Sequence, residues 1–138
     1  MEIVVSYNKK IARKNARDLL KSYRSIARRV GFVKISPLTR MTAYFDRSDV
    51  DLADEDNREL LETRNAMINA LLMMNDNYLC ILYYSYFSLN KLTCEQIGSK
   101  MDYSTSNIEK MKTIALVEFA EAYQKDNLLI VNENGEYL

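Results

Sequence analysis

Polar side chains with hydrogen-bonding groups are concentrated between positions 104 and 113 of the chain. They are Ser104, Thr105, Ser106, Asn107, Glu109, Lys110, Lys112 and Thr113. Hydroxyl groups bond phosphates or base edges, and lysines suit guanine edges or phosphates. A glutamate in this set can accept a hydrogen bond from cytosine or pair with a neighbouring lysine. We therefore predict that these residues contact double-stranded DNA. The alternative is an ordinary helical surface that touches no DNA.

Capping residues around this segment predict two helices joined by a short turn. Thr93, followed three residues later by Gln96, matches the capping box, in which two backbone donors are satisfied reciprocally. Asp102 falls where the turn needs a positive φ, which Asp tolerates better than most residues. Ser104 is suited to cap the next helix. The pattern predicts a helix-turn-helix over residues 93–124, whose second helix would enter the major groove by its N-terminal end.

Apolar and small residues of the same segment fit two helices that pack closely. We expect four side chains to face one another across the pair: Ile97, Met101, Ile108 and Met111. Gly98 is expected to leave room for the second helix, because a larger side chain would keep that helix away. Tyr103 is expected to fill the corner between the helices. The same features also suit a helical hairpin that only packs a core.

Charge is divided unevenly along a chain whose formal net charge is +0. Residues 1–47 contain twelve Lys and Arg but three Asp and Glu, a net charge of +9, so the remainder carries −9. Such asymmetry between halves indicates a polyanionic partner.

Basic residues recur at helical spacing within residues 8–30. They are Lys10, Lys14, Arg17, Lys21, Arg24 and Arg28. Like charges four residues apart cost roughly 0.2–0.5 kcal/mol per pair in an isolated helix, and Asp18 relieves part of this repulsion. We predict that the stripe contacts the DNA backbone or RNA polymerase, since neutralised phosphates would make binding salt-dependent. A solvated face, or one partnered by the acidic half of the same chain, is the alternative.

The composition favours a helical protein without catalytic chemistry. The chain has 138 residues, of which 48% are hydrophobic, with three Gly and one Pro. Cys80 and Cys94 lack a CxxC spacing, and the absence of histidine excludes Cys-His zinc fingers and histidine acid–base catalysis. We expect no enzymatic activity, no metal and no cofactor. No apolar run approaches the ~20 residues of a membrane span. Since residues 1–5 also lack a signal-peptide pattern, we expect a cytoplasmic protein without a membrane partner.

Hydrophobic periodicity predicts an all-α, multi-helix fold. Helices are expected over residues 8–30, 54–74, 78–88 and within 93–124, with one short helical turn in 39–45. Three parts are predicted: a basic N-terminal helical segment (1–47), a helical domain with the helix-turn-helix (48–126), and a C-terminal tail or small β-hairpin (127–138). Arg64 is the one charged member of the buried stripe in the second of these helices, and the tyrosines of 78–88 are expected in the core.

Several runs of residues, taken in order, resemble a known family. They are LLKSYR at 19–24, SPLT at 36–39, ILYYSY at 81–86, EQIG at 95–98, YS at 103–104 and ALVEFA at 115–120. Residues 8–124 resemble the ArpU family of phage-encoded transcriptional regulators, and the C-terminal half resembles region 4 of sigma factors.

The resemblance implies a sequence-specific regulator, expected to activate late genes of a phage or prophage in the cytoplasm of its bacterial host. Two other functions stay open. One is a phage DNA-packaging recognition subunit, or another oligomeric assembly protein, that uses the same helix-turn-helix. The other is an interaction module that binds RNA polymerase and leaves DNA alone. Self-association into a homo-oligomer is also left open.

Overall fold

Helices make up most of residues 7–129, the part of the chain that the computed structural model describes. The elements are α1 Lys9–Lys21, α2 Tyr23–Val30, β1 Gly31–Ile35, β2 Thr42–Asp46, α3 Glu55–Leu72, α4 Asp76–Leu82, α5 Cys94–Met101 and α6 Thr105–Ala122. A π-helical turn, Tyr83–Phe87, continues α4. The expectation of a mainly helical protein is confirmed. That of an all-α fold is wrong, because β1 and β2 form an antiparallel two-stranded sheet.

The helix predicted over residues 8–30 is divided in two at Ser22. The N–H and the hydroxyl of Ser22 both donate to the Leu19 carbonyl, at 3.0 and 2.5 Å. These bonds close a turn at Ser22, and α2 begins after it. Gly31 ends α2 as predicted. It has a φ of 116°, and a Cβ there would lie 2.2 Å from the Phe45 carbonyl oxygen, so only glycine fits.

The helical turn predicted within 39–45 is wrong, because most of that stretch belongs to β2. In β1, Val33 and Ile35 are buried while Lys34 between them is exposed, the two-residue alternation of a half-buried strand. The cross-strand partners run from Gly31 opposite Asp46 to Ile35 opposite Thr42. The hairpin therefore covers the core with one of its faces.

Arg40 ties the tip of this hairpin to the helices. It adopts the left-handed conformation, with a φ of 61°. Its guanidinium donates to the Leu72 carbonyl at 2.7 Å and to the Met74 carbonyl at 2.5 Å, and it pairs with Asp76 at 2.8 Å. Carbonyls at the end of a helix lack partners within the helix, so Arg40 satisfies groups that α3 leaves open.

The third helix begins where predicted and carries a buried arginine. The Asp54 carboxylate caps it by accepting from the N–H groups of Asp56 and Asn57. Arg64 is fully buried within α3. Its guanidinium donates to the Gly31 carbonyl at 2.9 Å and pairs with Asp46 at 2.7 Å, so it holds the base of the hairpin against α3.

Two apolar clusters hold the helices together. The larger one takes side chains from α1, α2, β1, α3, α4, the π-helical turn and α6. The smaller one is centred on Ile81, Ile97 and Ile108 and joins α4, α5 and α6. The larger cluster includes residues on both sides of position 47, and the division of the chain there stays a prediction. Tyr83 and Tyr86 are buried, which confirms that these aromatics belong to the core.

The C-terminal hairpin predicted after residue 126 falls mostly outside the described residues. Leu128 is buried, its carbonyl accepts from Asn15 Nδ2 at 2.8 Å, and neither Leu128 nor Leu129 lies in a strand. Residues 130–138 are not among those described. Within residues 7–129 no helix is long and apolar enough to cross a membrane, and no cluster of side chains is suited to hold a metal ion.

Candidate nucleic-acid interface

The caps predicted for α5 and α6 are confirmed. The Gln96 N–H donates to Thr93 Oγ1 at 3.2 Å, and the Thr93 N–H donates to Gln96 Oε1 at 2.8 Å, which completes the capping box. Asp102 ends α5 in the left-handed region, with φ 62° and ψ 44°. Ser104 Oγ accepts from the Asn107 N–H at 3.1 Å and starts α6. A short turn therefore joins the two helices.

The packing inside the pair agrees with the prediction in most respects. Ile97 and Ile108 are fully buried against Ile81, with Met101 and Met111 packed beside them. The reason given for Gly98 needs correction, because a Cβ there would lie 2.5 Å from the carbonyl oxygen of Tyr103 in the turn and an ordinary 3.5 Å from Ile108. The prediction for Tyr103 is wrong: its side chain is 38% exposed and does not fill the corner.

Most of the predicted contact residues lie exposed at the start of α6. Seven side chains are on the surface: Ser104, Thr105, Ser106, Asn107, Glu109, Lys110 and Thr113. The Thr113 hydroxyl donates to the Glu109 carbonyl at 3.1 Å, within the helix itself. Lys112, the eighth, differs because its side chain is half-buried and turned toward α1.

Lys112 is held among other cations. Its ammonium lies 4.9 Å from the ring centroid of Tyr86, a cation–π contact. Burial lowers the pKa of Lys112, and the nearby charges of Lys91, Arg17 and Lys21 lower it further. The cations of Lys91, Arg17 and Lys21, and not the burial, are the part of this environment that would stabilise a bound anion.

The basic stripe of α1 reaches the same place, because α1 packs along α6. Arg17 lies near enough to Tyr86 for its charge to act on the phenol. Burial raises the pKa of Tyr86, and the Arg17 side chain opposes that shift. Four of the predicted stripe residues line one shallow groove on α1: Lys10, Lys14, Arg17 and Lys21. Lys14 also pairs with Asp18 at 2.9 Å.

The other two stripe residues are not brought into this groove. The Arg24 guanidinium donates to the Ser88 carbonyl at 2.6 Å and so ties α2 to the loop that precedes α5. The Arg28 guanidinium donates to Ser25 Oγ at 3.2 Å, and its side chain is exposed. The predicted stripe therefore lines one groove only along α1.

Two basic residues of this surface were not predicted from the sequence. Arg13 lines the α1 groove with the four stripe residues. It lies four residues before Arg17, a spacing that placed it on the same face. Lys91 acts on Lys112 from the loop before α5. No periodic pattern marks a loop residue, so the sequence held no signal for Lys91.

The structure thus defines a small, mainly helical protein whose basic N-terminal helix lies beside a capped helical pair. The chain is 30% identical over 134 residues to the "Putative autolysin regulatory protein ArpU" of Enterococcus hirae, and the alignment covers 94% of this chain and 98% of that relative. The chain belongs to the ArpU family. No protein-family model and no solved structure matches it.

Proposed function

We propose that the protein is a sequence-specific, DNA-binding transcription regulator of a phage or prophage, which activates late genes from the cytoplasm of the host. In this proposal α5 and α6 act as a helix-turn-helix like that of sigma factor region 4. The start of α6 reads base edges in the major groove, and the α1 groove holds the phosphate backbone.

The convergence of cations from α1 and α6 at Tyr86 is the observation that carries this proposal. Arg17 and Lys21 come from α1, and Lys112 comes from the helix assigned to the major groove. Their mutual repulsion costs free energy in the free protein. A phosphate backbone lying across both helices would turn that cost into attraction and release counterions.

The first turn of α6 also suits an anion. It contains no acidic residue, and it carries the exposed hydroxyls of Thr105 and Ser106. Backbone N–H groups at a helix start point outward, and the helix dipole favours negative charge there. Lys110, one turn further along, is exposed and free to reach a guanine edge. The regulatory name of the Enterococcus hirae relative agrees with this reading.

A binding selection from fragmented DNA of the source genome tests the proposal. We expect one site, or a small set of related sites, to be enriched by the parent protein. Lys110→Ala should weaken binding to the selected site roughly tenfold, as expected for the loss of one base contact. Lys34→Ala is the matched control, because Lys34 is an exposed lysine on β1 and not on α6. It should leave the affinity near that of the parent.

The other outcomes point to the other functions. If random duplex fails to bind even at low salt, the protein is not a DNA-binding regulator, and a module that docks on RNA polymerase takes its place. If the protein forms a stable ring of many subunits, a packaging or assembly role replaces promoter binding. If Lys110→Ala and Lys34→Ala bind the selected site equally well, α6 is not the reading helix.

A further inference from the structure

Among the residues that the structure describes, none pairs with the outer edge of β2 in the hairpin. Within residues 7–129 the sheet contains two strands, and β1 is the neighbour of β2. The Arg47 N–H donates to the Val30 carbonyl at 3.1 Å, which makes 30 and 47 a hydrogen-bonded pair. Such pairs alternate along an antiparallel ladder. The backbone groups that point away from β1 therefore belong to Thr42, Tyr44 and Asp46.

This open edge lacks the features that usually protect an edge strand. Residues 42–46 contain no lysine and no proline, and four of the five are exposed. Phe45 is 59% exposed and Tyr44 is 46% exposed. The carboxylate of Asp46 is held by Arg64 at 2.7 Å, which partly neutralises the one charge on the strand. An exposed aromatic edge strand is a template for pairing with another chain.

We propose that a second copy of this chain covers the edge, with β2 pairing antiparallel to β2 of the other copy in a four-stranded sheet. The two-fold axis passes through Tyr44, so the two Tyr44 residues face each other as a hydrogen-bonded pair. Thr42 of each copy then lies opposite Asp46 of the other. A C2 interface uses the same patch on both subunits, which a strand edge does naturally.

Side-chain chemistry favours this register over one centred on Asp46. The Thr42 hydroxyl, which donates to the Arg40 carbonyl at 3.1 Å in its own chain, can turn to the Asp46 carboxylate across the strands, and two tyrosines form a favourable aromatic pair. A register centred on Asp46 would instead place two carboxylates directly opposite, which is destabilising. In the register centred on Tyr44 no like charges of β2 oppose each other. The edge is therefore complementary to itself.

The consequence for DNA rests on the proposed function. A dimer with two-fold symmetry carries two α5–α6 pairs related by the same axis. Its target would be palindromic, with half-sites spaced by whole turns of the duplex.

Solution mass gives the first test. We expect light scattering of the full chain to report twice its 16.1 kDa mass. Thr42→Pro removes an N–H on the open edge and leaves the β1 bonds in place, and proline is tolerated on edge strands. It should yield a monomer, whereas the control Thr42→Val keeps the N–H and should stay dimeric. A monomeric parent protein overturns the proposal, as does a Thr42→Pro variant that remains dimeric.

Disulfide capture fixes the register and does not depend on the proline variant folding. Tyr44→Cys is made with Cys80→Ser and Cys94→Ser, so the introduced thiol is the only one. The Cα atoms of a hydrogen-bonded pair lie about 5.5 Å apart, within the range of a disulfide. Under mild oxidation we expect covalent dimers of Tyr44→Cys. Ala43→Cys, on the opposite face and off the axis, should remain uncrosslinked, and equal crosslinking of both variants would overturn the register.

The two proposals fail separately. A monomer that still binds its selected site removes the dimer and leaves the DNA-binding function in place. A dimer that binds no duplex at low salt removes the DNA-binding function and leaves the proposed dimer in place.

Discussion

Tyr86 is the residue at which cations from two distant parts of the sequence meet. The charge of Arg17 of α1 acts on its hydroxyl, and its ring lies under Lys112 of α6. Helical spacing predicted that Tyr86 is buried, and this is confirmed. Spacing could not show that its polar end reaches the basic surface. The residue types of the candidate interface were thus visible in the sequence, but their proximity depends on how α1 packs against α6.

Gly98 shows a second limit at the residue scale. The sequence predicts that Gly98 leaves room for the second helix, but a Cβ there would come closest to the Tyr103 carbonyl of the turn and not to the facing helix. Periodicity reports which side chains share a face. It does not report where backbone atoms of a following turn will lie. The reason for the glycine therefore became clear only from the folded turn.

Gly98→Ala should destabilise the protein although alanine favours helices. The new Cβ would lie 2.5 Å from a backbone oxygen, so the turn must shift, at a cost of about 1–3 kcal/mol. Urea unfolding measures this change in the free energy of unfolding. Ser99→Ala is the control on the same helix. Ser99 is exposed, so this change should be neutral or slightly stabilising. If Gly98→Ala is as stable as Ser99→Ala, the close approach is not real.

Among the elements, the helices were predicted well and the hairpin was missed. The start of α3 was recognised because Asp54 and the acids after it match a capped helix N-terminus. In β1 the alternation spans only five residues, which is too short to distinguish a strand from part of a helix. Pro37 indicated a break in the chain but not the strands on each side of it. A short two-residue period next to a strong helical pattern is easily overlooked.

Arg64 joins the hairpin to α3, and its replacement tests that link. Arg64→Met leaves the buried carbonyl of Gly31 without its donor, which lies at 2.9 Å in the parent protein, while the Val30 carbonyl keeps the Arg47 N–H. We expect a loss of about 1–3 kcal/mol in the free energy of unfolding. Asp46→Asn removes the charge of the half-exposed partner of Arg64 and leaves the Gly31 carbonyl bonded. It should lower the free energy of unfolding by less than about 1 kcal/mol. Equal losses in denaturant titrations would show that the buried Gly31 carbonyl does not depend on Arg64.

Over the whole molecule, charge that is divided along the sequence is brought together in space. The +9 half contributes α1 and the −9 half contributes α6, yet the two helices lie side by side. Within residues 7–129, Arg17 and Lys21 form no ion pair with the acidic half, while Lys14 pairs on its own helix with Asp18. Asymmetry in the sequence therefore predicted a basic surface but not that it continues onto α6.

Buried tyrosines make the whole protein sensitive to alkali. Burial raises the pKa of Tyr23, Tyr86 and Tyr123 above the ordinary value of 10.0. These phenols stay protonated when folded but ionise when unfolded, so stability falls as pH rises above about 10. The lowered pKa of Lys112 acts in the opposite direction, but it is one group against these tyrosines and Tyr84, whose pKa burial also raises.

Urea unfolding at neutral pH and near pH 11 measures this effect. The midpoint should fall at the higher pH. Tyr103→Phe replaces an exposed phenol and should leave the fall unchanged, whereas Tyr23→Phe should reduce it. A midpoint that does not move between these pH values would contradict the burial of the three hydroxyls.

The salt dependence of DNA affinity tests most directly whether α1 and α6 form one binding surface. The parent protein, Arg17→Ala and Lys110→Ala are titrated against the selected site and a scrambled duplex over a range of salt concentrations. Arg17→Ala should lower the affinity for both duplexes by the same factor. It should also reduce the slope of log affinity against log salt by about 1. Lys110→Ala should lower the affinity for the selected site far more than the affinity for the scrambled duplex. An unchanged slope for Arg17→Ala, with equal losses on both duplexes for Lys110→Ala, would contradict the account.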